Sequence, residues 1–121
     1  MIVIRFPPPG PLMSLNDRQH WAVRARATKA WRTAAYFAAV QHGPKDKPLS
    51  RSVITVALPV QARRRRDPHN YAPTLKACID GMVDADLWPD DTPEYVATAE
   101  PVLHLGSEVI VTITPTTEEA A

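Results

Sequence analysis

Residues 24–41, RARATKAWRTAAYFAAVQ, carry no proline and are dense in alanine. With Val23 in front, apolar side chains recur at Val23, Ala27, Ala30, Ala34 and Phe37, steps of three and four that share one helical face. The spacing predicts one long helix from about Arg18 to Gln41, capped by Asn16 or Asp17 and stopped by Gly43-Pro44. Outward from it, the 13 prolines mark where regular elements cannot continue, because proline disrupts helix interiors and central strands. Thr74 to Trp88 is a second proline-free window, with Leu75, Cys78, Ile79, Met82 and Val83 on one face. A helix is expected there, beginning at Pro73 or Thr74. Ile2 to Phe6 and Val53 to Leu58 are short and β-rich. Tyr95 to His104 and Glu108 to Thr114 flank Leu105-Gly106-Ser107 in the manner of a hairpin. The expected order is β-α-β-α-β-β: an α/β (α+β) fold with a small mixed or antiparallel sheet and two helices.

A chain of 121 residues supports one core. Residues 1–121 are therefore expected to form a single domain, with 116–121 as a tail. No apolar run approaches the roughly 18 residues of a membrane helix, so no membrane partner is expected. Met1 to Pro7 has neither the basic nor the apolar region of a secretory signal. A lone cysteine, Cys78, makes no internal disulfide and suits a reducing compartment, which points to the cytoplasm.

The net charge of +1 hides an asymmetry. Thirteen of the 14 Lys and Arg lie in residues 1–66 against only Asp17 and Asp46, a charge of +11; residues 67–121 hold Lys76 against eleven acids, a charge of −10. A basic half beside an acidic half suggests a polyanion-attracting surface next to a cluster suited to a divalent cation. The plainer reading is that the halves neutralise each other in surface pairs.

The chemistry-bearing residues lie between Arg63 and Asp91. The run Arg63-Arg64-Arg65-Arg66 ends at Asp67-Pro68-His69-Asn70, and Lys76, Asp80, Asp90 and Asp91 follow. Each piece has a plain structural reading: a solvated basic run, a turn, an i,i+4 helix pair and another turn. Together, carboxylates on either side of one helix can converge on a hard cation while a lysine of that helix faces them, as in a nuclease.

Arg65-Arg66-Asp67-Pro68-His69-Asn70, then Lys76 to Asp80, then Trp88-Pro89-Asp90-Asp91 resembles the RusA family of Holliday junction resolvases. Pro7-Pro8-Pro9, Asn16 and Arg18 resemble that family's proline-rich strand end and polar loop, so the likeness spans nearly the whole chain. It implies a homodimeric, magnesium-dependent endonuclease with no organic cofactor. Such an enzyme cuts four-way DNA junctions in recombination, repair or phage DNA processing in the bacterial cytoplasm.

Carried over, Asp67 matches the first acid of the family motif, Asn70 its asparagine, Lys76 its essential lysine and Asp91 its later catalytic aspartate. Asp80 and Asp90 fall on further acidic positions. His69 departs from the pattern by standing where a second aspartate is usual, and three extra residues within Tyr71 to Thr74 precede Lys76. A neutral imidazole accepts manganese more readily than magnesium, so Mn²⁺ becomes an alternative to Mg²⁺.

The resemblance thus makes Asp67, Lys76 and Asp91 catalytic, and Asp67, His69, Asp90 and Asp91 the metal set. Asp80 is supporting. Neighbouring side chains on extended backbone point to opposite faces, so Asp90 and Asp91 are not expected to bind the ion together directly. DNA contacts are expected from Arg18, Arg24 and Arg32 on or near the first helix, from Arg63, Arg64, Arg65 and Arg66, and from Asn16 and Asn70. Trp21, Trp31 and Trp88 could stack on bases, though such tryptophans more often anchor packing; Trp31, Tyr36 and Phe37 are interface or core. Two other classes remain: a catalytically weak junction-binding protein with a degenerate metal site, and a protein-interaction module whose charged halves pair.

Overall fold

The alternation of β-rich and alanine-rich stretches becomes two layers, a five-stranded sheet with two helices packed on one face. The computed structural model describes residues 1–62 and 65–116. In chain order the elements are β1 (Ile2–Phe6), α1 (Trp21–His42), β2 (Ser52–Val60), a 3₁₀ turn (Pro68–Tyr71), α2 (Ala72–Asp84), β3 (Val96–Thr98), β4 (Val102–Leu105) and β5 (Val109–Pro115). The fold is the expected mixed α+β class.

Period-two alternation fixes which sheet face is covered. Ile4 and Phe6 of β1, Ile54, Val56 and Leu58 of β2, and Val109, Val111 and Ile113 of β5 are buried, whereas Val3, Val53 and Thr55 between them are exposed. The helices supply Trp31, Ala35, Ala38 and Ala39 from α1 and Leu75, Cys78, Ile79 and Met82 from α2 to the same core. Small residues let the helices approach closely. At Gly81 an added Cβ would collide with the Arg32 carbonyl oxygen and come within 2.9 Å of Ala35 Cβ.

The sheet order departs from the expected hairpin. β5 lies antiparallel between β1 and β2, with Ile4 opposite Val111 and Ile54 opposite Ile113. β4 pairs parallel with the far edge of β2, Ala57 opposite Val102. The Gly106 turn therefore spans the end of β2, with the Gly106 N–H donating to the Val60 carbonyl at 3.3 Å. Both edges of β2 need partners, and this crossing supplies them on each side. The expected strand 95–104 is also two strands. Thr55 and Val56 oppose Ala99, Glu100 and Pro101, an interruption that suits a proline with no N–H to donate.

Helix ends shift for local reasons. Asp17 does not cap α1; its Oδ2 accepts from the Ser14 N–H at 2.9 Å inside the preceding loop, and His20 Nδ1 caps the helix by accepting from Ala22 N–H at 3.1 Å. Gly43 ends α1 as expected, donating to the Ala39 carbonyl at 2.9 Å. α2 begins at Ala72, so Pro73 occupies its first turn, where no N–H is needed. It ends before the positive φ of 66° at Asp86. Thr116 follows β5, and the rest of the expected tail, 117–121, lies outside the described residues. No described helix is long and apolar enough to cross a membrane.

Candidate functional site

β1 and β2 both run antiparallel to β5 and hence parallel to each other, so they finish at the same end of the sheet. The chain leaves β1 through Pro7-Pro8-Pro9 toward α1, and leaves β2 through the arginine run toward α2. Hydrogen bonds fasten the two exits together. The Leu15 N–H donates to the Asn70 carbonyl at 2.7 Å, and the buried Thr74 hydroxyl both accepts from Met13 N–H and donates to its carbonyl, each at 2.8 Å. Ligands of sheets with parallel strands gather at such carboxyl ends, and here the same end holds Asp67, His69, Asn70, Asn16, Arg18 and both helix starts.

Asp67 begins the 3₁₀ turn. Its Oδ1 accepts from the His69 N–H at 3.1 Å and its carbonyl accepts from the Asn70 N–H at 3.0 Å, the turn that Asp-Pro-His-Asn favours. Its carboxylate is exposed, as is the His69 ring.

Lys76 stands on the open side of α2, its side chain 63% exposed. Its ammonium is held by two carboxylates, Asp80 Oδ1 at 2.8 Å one turn on and Asp91 Oδ2 at 2.6 Å from the loop after the helix. The Asp80 and Asp91 hydrogen bonds hold the Lys76 pKa above its ordinary value. Lys76 in turn holds the Asp91 carboxyl below the usual carboxylate range. Asp90 turns inward on its own loop, its Oδ1 accepting from the Asp91 N–H at 2.7 Å. Asp90 thus supports the backbone that presents Asp91. Asp91 is thereby held as an anionic partner for a cation or for a proton-bearing group.

Asp67, Asp90 and Asp91 are hard oxygen donors, and their chemistry fits Mg²⁺ or Mn²⁺. Among the described residues, no three His, Cys, Asp or Glu side chains are gathered as a metal-holding group. What the fold does bring together is Lys76, Asp80 and Asp91.

On the basic side, Arg18, Arg24 and Arg65 are exposed, and Arg66 donates from Nη1 to the Ala62 carbonyl at 2.8 Å. Arg63 and Arg64 lie outside the described residues. Arg32, expected to contact DNA, places its guanidinium on Asp84 in a bidentate pair, Nε–Oδ2 2.6 Å and Nη2–Oδ1 2.8 Å. That pair lowers the Asp84 pKa and raises that of Arg32. Asp84 was legible as the third member of a Lys76, Asp80, Asp84 series at four-residue spacing. The Thr74 clip on Met13 had no sequence signal, because its partners are 61 residues apart.

The structure is thus a small α+β protein in which Asp67, His69 and Asn70 follow the end of β2, while Lys76, Asp80 and Asp91 cluster on the open side of α2. Searches against family models and curated proteins return no match for the sequence.

Proposed function

We propose that this chain is a metal-dependent, structure-specific endodeoxyribonuclease that resolves four-way DNA junctions, acting as a two-fold homodimer in the RusA manner. The observation that carries the reading is the Lys76–Asp91 contact at 2.6 Å, which joins a lysine of α2 to an acid 15 residues on, two positions that the family pattern also makes catalytic. Asp67 and Asp91, assisted by His69 or Asp90, would hold Mg²⁺ or Mn²⁺. Held there, the ion would supply Lewis-acid chemistry, polarising a phosphoryl oxygen and lowering the pKa of a bound water. The protein's own contributions are separable. Lys76 offers an ammonium that can move from its carboxylates to a phosphoryl oxygen as negative charge builds there. Asp80 keeps that ammonium charged and aimed. The exposed arginines hold the flanking phosphates, a binding mode that reads backbone and shape and weakens steeply with salt.

A second reading, a junction-binding protein with little cleavage, is favoured by His69 in an aspartate position and by Asp91 being already engaged by Lys76. One experiment separates them. A labelled mobile four-way junction and a linear duplex are incubated with the protein in Mg²⁺, Mn²⁺ or EDTA. The endonuclease gives paired, metal-dependent nicks in the junction alone, and Asp91→Asn abolishes them while junction binding is kept or tightened. Junction binding with no nicks in either metal establishes the second reading.

A further inference from the structure

The three tryptophans divide sharply by environment. Trp31 and Trp88 are each 1% exposed, and their indole N–H groups donate within the fold, to the Pro11 carbonyl and the Ser52 hydroxyl, both at 3.1 Å. They are packing anchors. Trp21, the first residue of α1, is 74% exposed. An indole carries one of the largest apolar surfaces of any side chain, and its burial is strongly favourable. Its aromatic neighbour is His20, with ring centroids 5.4 Å apart and planes tilted by 32°. The imidazole is itself fixed, since its Nδ1 accepts from the Ala22 N–H at 3.1 Å. Trp21 thus has a backing on one side and solvent on the other.

Charge says what would cover it. The first turn of α1 contains no acid. Arg18 lies three residues before Trp21, Arg24 one turn after it on the same face, and Arg26 and Lys29 beyond, all exposed. Asp17, the acid nearest in sequence, is turned into its own loop by the Ser14 N–H. An aromatic face rimmed by guanidinium groups suits a nucleotide, whose base stacks while its phosphates pair with the cations. The position is also right. Gln19 and Arg24 share a small cleft of about 30 Å³ with Pro73 in the first turn of α2, so this end of α1 abuts the start of the helix that carries Lys76.

We propose that Trp21, backed by His20, is a stacking platform for an unpaired nucleobase, with Arg18 and Arg24 holding the phosphates beside it. The inference rests on the junction-endonuclease reading and deepens it: the feature recognised at the branch is an unstacked base as well as backbone shape.

Intrinsic fluorescence tests this, because Trp21 is the accessible emitter. Oligothymidine should quench wild-type emission, and the quenching should vanish in Trp21→Ala. That variant should bind oligothymidine and the four-way junction about tenfold or more weakly, with the salt dependence of binding unchanged, since no phosphate contact is removed. Trp21→Tyr should restore most of the affinity. Thermal unfolding of Trp21→Ala should match wild type, which separates stacking from a structural role. Wild-type affinity in Trp21→Ala, or junction binding without oligothymidine quenching, overturns the platform; metal-dependent junction cleavage by the same wild-type preparation then leaves the endonuclease standing. Failure of wild type to bind either DNA at low salt overturns both.

Discussion

Lys76 meets Asp80 because four residues on a helix make one turn, and that pairing was legible in the sequence. Its second partner, Asp91, was expected at the site but not specifically against the lysine, since a loop must fold back along α2 to bring it there. If the ammonium serves the transition state, Lys76→Ala should lower junction cleavage by about 10²–10³-fold with junction affinity little changed. A selective loss of affinity would make Lys76 a phosphate anchor. Arg32 and Asp84 give a stability counterpart. Asp84 is depressed by Arg32, so the pair stabilises the fold above the ordinary carboxylate pKa of about 3.9, and the contribution is lost as pH falls through the lowered folded value. Both side chains are more than a third exposed, at 48% and 38%, which limits the effect to below about 1 kcal/mol. Urea unfolding should therefore find Asp84→Asn slightly less stable than wild type at neutral pH, with the difference vanishing in acid once Asp84 is protonated. A gap that persists unchanged in acid would assign the loss to something other than this ion pair.

Among the elements, the existence of α1, β1, β2 and the stop at Gly43 followed from local pattern, because composition and proline placement are properties of neighbouring residues. The face of α1 did not: Val23, Ala30 and Phe37 of the expected apolar stripe are exposed, and Trp31, Ala35, Ala38 and Ala39 meet the core instead. Pairing was less legible. Leu105-Gly106-Ser107 signals a reversal of direction, but a turn does not specify which strand receives the chain, and here the reversal crosses the end of β2. The capping of α1 shows the same limit: Asp17 and His20 can both accept a hydrogen bond, and the loop through Ser14 decides which of them serves the helix. The contact between α1 and α2 supplies a prediction at this scale. Replacing a helical glycine by alanine normally gains about 1 kcal/mol of helix propensity. At Gly81 the new methyl would meet the Arg32 carbonyl, and backbone cannot step aside as a side chain can. Overpacking costs about 1–3 kcal/mol or more, so Gly81→Ala should lower the melting temperature; a rise would mean that the helices separate freely.

At the scale of the whole molecule, one face of the sheet is covered by helices and the other presents Val3 and Val53, at 41% and 45% exposure, while Phe37 and Val40 stay open on α1. Trp31, an interface candidate in the sequence, is core. If the chain resolves four-way junctions as proposed, clean resolution needs two symmetric nicks, and since a single site supplies one at a time, an isologous dimer would be the closed solution for identical chains. Sedimentation equilibrium at micromolar protein should give twice the 13.4 kDa chain mass, and a supercoiled cruciform plasmid should be converted mainly to linear product. A monomer yielding nicked circles would rule out paired cutting. The α+β class, the split of charge between the halves and the four-residue pairing of Lys76 with Asp80 could be read from the chain alone, because all of them depend on composition or on neighbours along it. That β5 lies between β1 and β2, that Arg32 pairs with Asp84, and that one tryptophan of three faces solvent emerged only on folding. Strand partners and burial are set by residues far apart in sequence, where the free energy of covering apolar surface is shared by the whole fold and leaves no local mark.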